Sequence, residues 1–352
     1  MAALKIGILY DISDDAPEPG AEPEQASESK PAKTKSSSGK KKRKKKNKFD
    51  REEIFDALEK LGYEPSYLVL DGHKQSLLAL ARSNVDLVFN LVESFAGIDT
   101  NDKNVAAFLD LLQIPYTGCG SEGLHLAQDK SLAKKLLDFH GIKNPDFATS
   151  FRGRLDHSHD IKFPLIVKPT SEDGSIGIDA TSVVTNVKEL MERIDYIHDN
   201  FDSPVLIEEY IDGREIYGAV MGNENAEALP LIELDLSNLP KGTPRIACQD
   251  VKFMKDTEAY KLTKSGPAKD LDDPLVQKLQ DTALAVYRVL KLRDYARIDM
   301  RLTPEGEIYV LEANPNPWLW SSAEFAMAAK LAGRSYADLI KEIVEMALAR
   351  SR

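Results

Sequence analysis

The residues with the clearest chemical capacity lie near the C-terminal end of this chain. They are Arg297-Ile298-Asp299-Met300-Arg301 and Val310-Leu311-Glu312-Ala313-Asn314-Pro315, separated by the turn Thr303-Pro304-Glu305-Gly306. Strand alternation puts Arg297, Asp299 and Arg301 on one face of their strand, and Glu312 and Asn314 likewise share a face of theirs. The turn predicts that the two strands pair antiparallel. Asp, Glu and Asn on adjacent strands offer hard oxygen ligands suited to Mg²⁺ that also holds a triphosphate. Arg297 beside them could stabilise charge developing on a transferring phosphoryl group. A solvated hairpin face with salt bridges would carry the same residues.

Two upstream groups could serve the same chemistry. Phe163-Pro164-Leu165-Ile166-Val167-Lys168-Pro169 ends a buried strand in a lysine, and the small-residue loop Thr170-Ser171-Glu172-Asp173-Gly174-Ser175-Ile176-Gly177 follows. Glycines allow backbone N–H groups to turn toward phosphate oxygens while the lysine supplies positive charge. A plain hairpin loop is the alternative. Val205-Leu206-Ile207-Glu208-Glu209-Tyr210-Ile211-Asp212-Gly213-Arg214-Glu215 is an apolar strand leading into paired carboxylates. These could accept from an adenine amino group or ribose hydroxyls, or simply end a strand in a capped turn.

The positioning elements follow from periodicity. Leu4–Tyr10, Tyr67–Leu70 and Val85–Leu91 read as buried strands, with helices at Phe49–Leu61 and Lys74–Arg82 between them. That alternation predicts a parallel sheet with crossover connections. Helical patterns recur at Asn104–Leu112 and Ser131–Phe139. A second α/β unit begins near Asn144, with strands at Pro164–Val167, Thr181–Val184, Val205–Tyr210, Glu215–Met221 and Ala228–Leu234. A long helix at Pro274–Leu290, strands at Tyr295–Leu302 and Ile308–Ala313, and helices at Ala323–Leu331 and Tyr336–Leu348 complete the reading. From Ser13 to Asn47 large hydrophobes are absent, so residues 13–48 are expected to be a disordered surface insertion.

The order of the three chemical groups resembles the ATP-grasp superfamily, and more narrowly D-alanine–D-alanine ligase and its relatives. Pro115-Tyr116-Thr117-Gly118, Gln128-Asp129-Lys130 and Glu312-Ala313-Asn314-Pro315 are supporting matches, and the likeness covers about residues 85 to 350. The resemblance implies a mixed α/β and α+β ATP-grasp fold: an N-terminal parallel-sheet domain (1–120, with the insertion), a central lid domain (121–212) and a C-terminal domain (213–352). It implies that Lys130 and Lys168 contact nucleotide phosphates and that Lys252 reaches the γ-phosphate. Glu208, Ile211 and Glu215 would hold adenine and ribose, with Glu209 and Tyr210 alongside. Asp299, Glu312 and Asn314 would ligate two Mg²⁺ ions (or Mn²⁺), Arg297 would stabilise the acyl-phosphate and tetrahedral states, and Ser175 would close over the phosphates.

The sequence departs from that pattern on the substrate side. The relatives' Glu-Gly-Ser-Ser-x-Gly loop reads Glu172-Asp173-Gly174-Ser175-Ile176-Gly177, and a substrate-side tyrosine becomes Phe253. The relatives' Thr-x-Pro-Gly after the asparagine becomes Pro315-Asn316-Pro317-Trp318, a later serine becomes Ala323, and a His-Gly pair becomes Glu93-Ser94. The acidic residue after the first strand falls where Asp11-Ile12-Ser13-Asp14-Asp15 opens into the insertion. A site that hydrogen-bonds one substrate discriminates strongly, so these changes imply a different carboxylate or amine. Glu93, Asp99, Trp318, Trp320 and Ser321 are the candidate pocket residues. Trp318 and Trp320 could equally be core or interface aromatics.

Composition narrows the alternatives. A net charge of −11 argues against general nucleic-acid affinity, although Lys40–Lys48 holds eight cations in nine residues and could bind RNA, anionic lipid or an acidic partner. A solvated, drifting insertion is the plainer reading. No run of 18 apolar residues suggests a membrane span. Two cysteines, Cys119 and Cys248, give no disulfide framework and fit a reducing cytoplasm. His157 and His159 lack metal-ligand spacing. The expected partners are small carboxylate and amine substrates, with a homodimer by analogy. Two alternatives are a carboxylate-phosphorylating enzyme outside peptide chemistry and a non-catalytic nucleotide-binding regulator that docks a partner through the lysine tract. Deleting residues 14–47 should leave ATP binding intact in a nucleotide titration, whereas loss of folding would make the insertion structural.

Overall fold

The computed structural model describes residues 3–12, 49–170, 175–201, 203–252, 254 and 257–350. The lysine tract, Gly174, Phe253 and the side chain of His157 lie outside the described residues. Three sheets organise what is described.

The first sheet is parallel. Strands β1 (Lys5–Asp11), β2 (Glu64–Leu70) and β3 (Leu87–Asn90) run in the order β2-β1-β3, with helices α1 (Asp50–Lys60) and α2 (Lys74–Ala81) in the connections. Ile6, Ile8 and Leu9 are fully buried, and α1 lays Ile54, Ala57 and Leu58 inward while its other positions are mostly polar. This is the α/β alternation expected from the sequence. Asp11 closes β1 and the segment after β3 runs through Glu93, so acidic residues gather at the carboxyl edge of the sheet, where ligands of such sheets bind. The Asp11 carboxylate accepts from the Glu93 N–H (2.9 Å) and from the Ser94 hydroxyl (2.6 Å).

Helices α3 (Asp102–Leu111), α4 (Ser121–Gln128) and α5 (Lys130–Phe139) lead to the second sheet. The Asp129 side chain accepts from Leu132 N–H (3.0 Å) and so fixes the start of α5. The second sheet contains β4 (Phe147–Phe151), β5 (Arg154–Ser158), β6 (Leu165–Pro169), β7 (Val183–Val184) and, after α6 (Val187–Asn200), β8 (Val205–Glu209). Its order is β5-β4-β8-β6-β7 and every pairing is antiparallel. Four elements here exceed the expectation from sequence. They are the helix α4, the strands β4 and β5, and the helix α6, whose Leu190, Ile194 and Ile197 keep helical spacing and pack on the sheet. The expected strand at Thr181–Val184 is shorter: Ala180–Ser182 form a 3-10 turn capped by Asp179, and only Val183–Val184 pair.

The third sheet carries β9 (Arg214–Met221), β10 (Glu227–Ala228), β11 (Ile232–Asp235), β12 (Lys264–Pro267), β13 (Tyr295–Leu302) and β14 (Ile308–Pro315), ordered β12-β11-β9-β13-β14 with β10 beside β9. The short helices α7 (Gln249–Lys252) and α8 (Glu258–Leu262) precede β12, and α9 (Asp273–Val289), α10 (Glu324–Leu331) and α11 (Tyr336–Arg350) cover the sheet. Alternation divides β9 and β13 between two cores. Ile216, Val220, Ile298 and Met300 pack with Leu279, Ala283 and Val286 of α9, whereas Tyr217 and Tyr295 pack with Phe325, Ala328 and Ile340 of α10 and α11. Glycine at 218 permits the α9 contact, since a Cβ there would lie 2.8 Å from that of Ala283.

One buried charge joins the first and third sheets. Asp294 is fully buried and accepts from the Gly118 N–H (2.8 Å) and from the Arg350 guanidinium through both oxygens (2.9 and 2.8 Å). Arg350 also donates to the Tyr116 carbonyl (2.8 Å). Gly118 has φ +87, and a Cβ there would meet Asn316 Oδ1 at 2.3 Å, the same oxygen that accepts from the Cys119 N–H (2.7 Å). The chain beyond β14 is thereby held against the Gly118–Cys119 turn. Asp294→Ala should cost about 3 kcal/mol, because it leaves the buried Gly118 amide without its acceptor and takes the carboxylate from the half-buried Arg350 guanidinium. Urea denaturation tests this, and a loss below about 1 kcal/mol would contradict it.

Candidate functional site

The β13–β14 pair builds the site's centre. Asp299 lies directly opposite Glu312 and Arg297 opposite Asn314, and the register shifts only after Asp299. Four candidate side chains therefore share the face that β9 and α10 help to shape. The Arg297 guanidinium donates to both oxygens of Asp299 (2.7 and 2.9 Å), lies 4.7 Å from the Tyr217 ring centroid, and is 3.6 Å from Glu324. Beyond the shift, Arg301 serves a different purpose. It pairs with Glu215 (2.8 Å) and donates to the Gly213 and Arg245 carbonyls.

Charge converges on this face. Glu312 lies 3.9 Å from the Lys130 ammonium. Burial pushes the Glu312 carboxyl up, but Lys130, Lys252, Lys168 and Arg297 outweigh it and hold it well below the usual carboxylate range. Burial raises Asp299, with Arg297 opposing and Glu312 adding to the rise. The structure thus brings Lys130, Lys168, Lys252, Arg297, Asp299, Glu312 and Asn314 into one neighbourhood, from stretches of chain far apart in sequence. The donor set for a cation is two carboxylates and an amide. These oxygen donors suit a hard ion that takes its remaining ligands from phosphate and water. Asn314 Nδ2 is buried without a hydrogen-bond partner, an N–H donor that suits an acceptor such as a phosphate oxygen, while the amide oxygen is the atom a cation would take. These residues fit Mg²⁺.

Next to this face, Glu208 (1% exposed) bridges two lysines, Lys168 and Lys134, each at 2.7 Å. Burial would raise the Glu208 carboxyl, but the two ammonium groups more than reverse that and hold it low. Burial in turn lowers Lys134. Lys168 comes from β6, Glu208 from the adjoining β8, and Lys134 from α5, one helical turn past Lys130. Lys134 is not among the candidates drawn from sequence. Its i+4 spacing from Lys130 is the available signal, since it puts both ammonium groups on one side of α5.

The other nucleotide candidates sit at the junction of the second and third sheets. Glu209 accepts from Lys162 N–H (2.9 Å), the Tyr210 hydroxyl accepts from Arg245 N–H (3.0 Å), and Ile211 lies in the connection between β8 and β9. Glu215 is 4% exposed and held by Arg301 and the Tyr217 hydroxyl. The Ser175 hydroxyl donates to the Ala247 carbonyl (2.8 Å), linking the loop after β6 to the stretch before Lys252. A groove of about 1250 Å³ lined by Arg193, Tyr196, Tyr210, Lys241 and Arg245 contains only Tyr210 of the candidates, so it is not the phosphoryl-transfer site.

Of the substrate candidates, Glu93 and Trp318 border one small cavity. The Trp318 indole N–H donates to Glu93, and the Trp318 and Trp320 rings lie 5.7 Å apart with 31° between planes. A cavity of about 20 Å³, room for roughly one water, is lined by Asp50, Asn90, Glu93, Asn316 and Trp318. Glu93 keeps a solvent-facing edge but is ringed by the cleft walls, which push its carboxyl up to about 7, with Asp11, Asp50 and Asp99 adding to the rise and Trp318 opposing it. Asp99 begins a 3-10 turn, and its carbonyl accepts from Gln128. Ser321 gives both its N–H (2.8 Å) and its hydroxyl (3.1 Å) to Glu53 of α1. Asp11 and Glu324 are likewise absent from the sequence candidates. Only the fold shows that they approach Glu93 and Arg297.

Glu208→Gln should destabilise the fold by about 3–5 kcal/mol, because it strands two buried lysines. It should also weaken ATP binding. Urea denaturation and a nucleotide titration together test this, and wild-type stability would contradict the bridging role.

Comparison with known proteins agrees with this geometry. A family model described as D-ala D-ala ligase C-terminus matches residues 132–345. A D-alanine–D-alanine ligase of Aquifex aeolicus is 33% identical over 291 residues, covering 82% of this chain and 91% of that protein. An uncharacterised protein, y4sG, of Sinorhizobium fredii is 33% identical over 304 residues, covering 84% of this chain and 86% of that one. The crystal structure of a Bacillus anthracis D-alanine–D-alanine ligase complexed with ATP superposes with a TM-score of 0.72 at 23% identity, covering 99% of both chains, which shows the ATP-grasp fold. Among the described residues no helix is long and apolar enough to cross a membrane. The matched family and the arrangement of Lys168, Arg297, Asp299 and Glu312 lead to one conclusion: the chain belongs to the D-alanine–D-alanine ligase family and is an ATP-dependent ATP-grasp ligase that forms carbon–nitrogen bonds.

Proposed function

We propose that this ligase activates a carboxylate as an acyl phosphate and joins it to an amine, and that its substrates differ from the pair of D-alanines named for its relatives. The observation that carries the reading is the register of β13 and β14, which sets Arg297, Asp299, Glu312 and Asn314 on one face beside Lys130.

The chemistry follows from charge. A carboxylate is a poor electrophile because its oxygen is a poor leaving group. Its oxygen attacks the γ-phosphorus of ATP, the bond to the β,γ-bridging oxygen breaks, and ADP departs. The amine nitrogen then attacks the acyl carbon, the carbon–oxygen bond to phosphate breaks, and the amine proton is released. Asp299, Glu312 and Asn314 are the residues that would hold Mg²⁺, which when bound screens the phosphate charge. Lys130, Lys168 and Lys252 contribute cations for the phosphate oxygens. Arg297 is placed to stabilise the charge that builds on the transferring group and on the acyl oxygen. The Ser175 hydroxyl donates to the Ala247 carbonyl, five residues before Lys252, and we assign Ser175 to close over the phosphates, where closure would exclude water that hydrolyses the intermediate. The altered substrate is supported by the wall that Glu93, Trp318 and Trp320 form. We assign the phosphoryl chemistry to the segments on either side of Gly213, with 121–212 as the lid domain, 213–352 as the metal-bearing domain and 1–120 as the substrate wall.

ADP release across a panel of carboxylic acids and amines tests this. A pair other than two D-alanines should be preferred, and strong turnover with D-alanine alone would refute the altered substrate. Arg297→Ala should lower kcat about 10²–10³-fold while the ATP Kd stays within about threefold. Equal losses in both would favour a nucleotide-binding regulator.

A further inference from the structure

We propose that Tyr217 is a positioning residue of this site, whose ring face holds the Arg297 guanidinium and the Lys252 ammonium beside Asp299. The inference rests on the ligase reading above and adds a residue to its machinery.

The strand places Tyr217. In the pairing of β9 with β13, Ala219 lies opposite Arg297, Tyr217 opposite Asp299 and Glu215 opposite Arg301. Residues directly opposite one another point to the same face of a sheet, so Tyr217 stands on the face that carries Arg297 and Asp299. The Arg297 guanidinium carbon is 4.7 Å from the ring centroid, and Lys252 Nζ is 5.9 Å from it. Both lie within the range of about 6 Å over which an aromatic ring attracts a cation. Arg297 arrives from β13 and Lys252 from α7, two elements that no strand pairing holds together.

The ring is itself fixed. Tyr217 is 1% exposed, and its hydroxyl donates to Glu215 Oε1 (3.2 Å). Glu215 Oε2 accepts from Arg301 Nη2 (2.8 Å), and Arg301 Nη1 donates to the Gly213 and Arg245 carbonyls (3.1 and 2.9 Å). The hydroxyl end is thus tied to a buried ion pair, while the ring meets the two cations. Packing with Phe325 and Ala328 could be met by any large apolar side chain. Attraction of cations needs an aromatic face.

Arg297 has a reason to need this support. Its Nε and Nη2 donate to both oxygens of Asp299 (2.7 and 2.9 Å), and Asp299 is also among the residues that would hold Mg²⁺. The ring is a support that a metal ion does not contest. It steadies the guanidinium without neutralising it, so the positive charge stays available to the transferring group.

A double-mutant cycle on the full chain tests this. The kcat for ADP release is measured with the acid and amine pair that turns over fastest in the panel. Tyr217→Leu should lower kcat about tenfold, whereas Tyr217→Phe, which keeps the ring and loses only the hydroxyl, should stay within about threefold of wild type. In the Arg297→Ala background Tyr217→Leu should lower kcat less than about threefold further, because the guanidinium that the ring steadies is gone. Thermal melts check that each variant is folded at the assay temperature. If Tyr217→Leu does not melt cooperatively, Tyr217→Met, unbranched and of similar reach, takes its place. An equal loss in both backgrounds would mark a purely structural tyrosine and overturn the proposal. So would a loss in Tyr217→Phe as large as in Tyr217→Leu, or wild-type kcat in Tyr217→Leu. The ligase reading survives each of those results. No ADP release by the wild type with any pair sinks that reading, and this inference with it.

Discussion

The antiparallel pairing of β13 with β14 is the constraint on which the rest depends. A side-chain period of two means that sliding one strand by one residue would send Asp299 or Glu312 into the opposite core. The pairing is locked from both sides. Ile298 and Met300 are anchored in the core under α9, while Tyr217 and Tyr295 pack with α10 and α11. Apolar residues between the polar ones thus fix the register, and the register places the chemistry.

The second principle is charge balance without neutrality. Each buried charge in the centre has a partner, yet the partners are shared. Glu208 serves two lysines, and Arg297 is approached by two carboxylates. Shared pairs of this kind leave cations able to meet phosphate oxygens and acids able to meet a metal ion, at a smaller desolvation penalty than isolated charges would suffer. The Asp294–Arg350 clamp is different: it is paired through both oxygens, lies apart from the chemistry and joins the last helix to the Tyr116–Gly118 turn.

Much of this architecture is legible in the sequence because it is local. The apolar run of β1, the alternation in β13 and β14 and the turn between them, and the amphipathic spacing of α1 and α9 all state their own geometry. The central antiparallel sheet is harder to read, because Phe147–Phe151 is short and half polar and gains its strand character from pairing with β8. Helix α6 does carry a local signal in Leu190, Ile194 and Ile197, which the expectation from sequence leaves out. Contacts between distant segments leave no trace in the pattern. Glu324 reaching Arg297, Glu93 bonded to Trp318, and Lys134 sharing Glu208 with Lys168 depend on how sheets and helices stack. The i+4 step from Lys130 is the one hint for Lys134.

The central claim is that the β13–β14 face holds a divalent ion jointly with the nucleotide. Electron paramagnetic resonance of Mn²⁺ added to the full chain with a non-hydrolysable ATP analogue measures this without turnover. The account predicts a nucleotide-dependent bound-Mn²⁺ signal in the wild type that is lost in the Asp299→Asn, Glu312→Gln double variant. The same signal in both proteins would show that the ion is held elsewhere and would contradict the account.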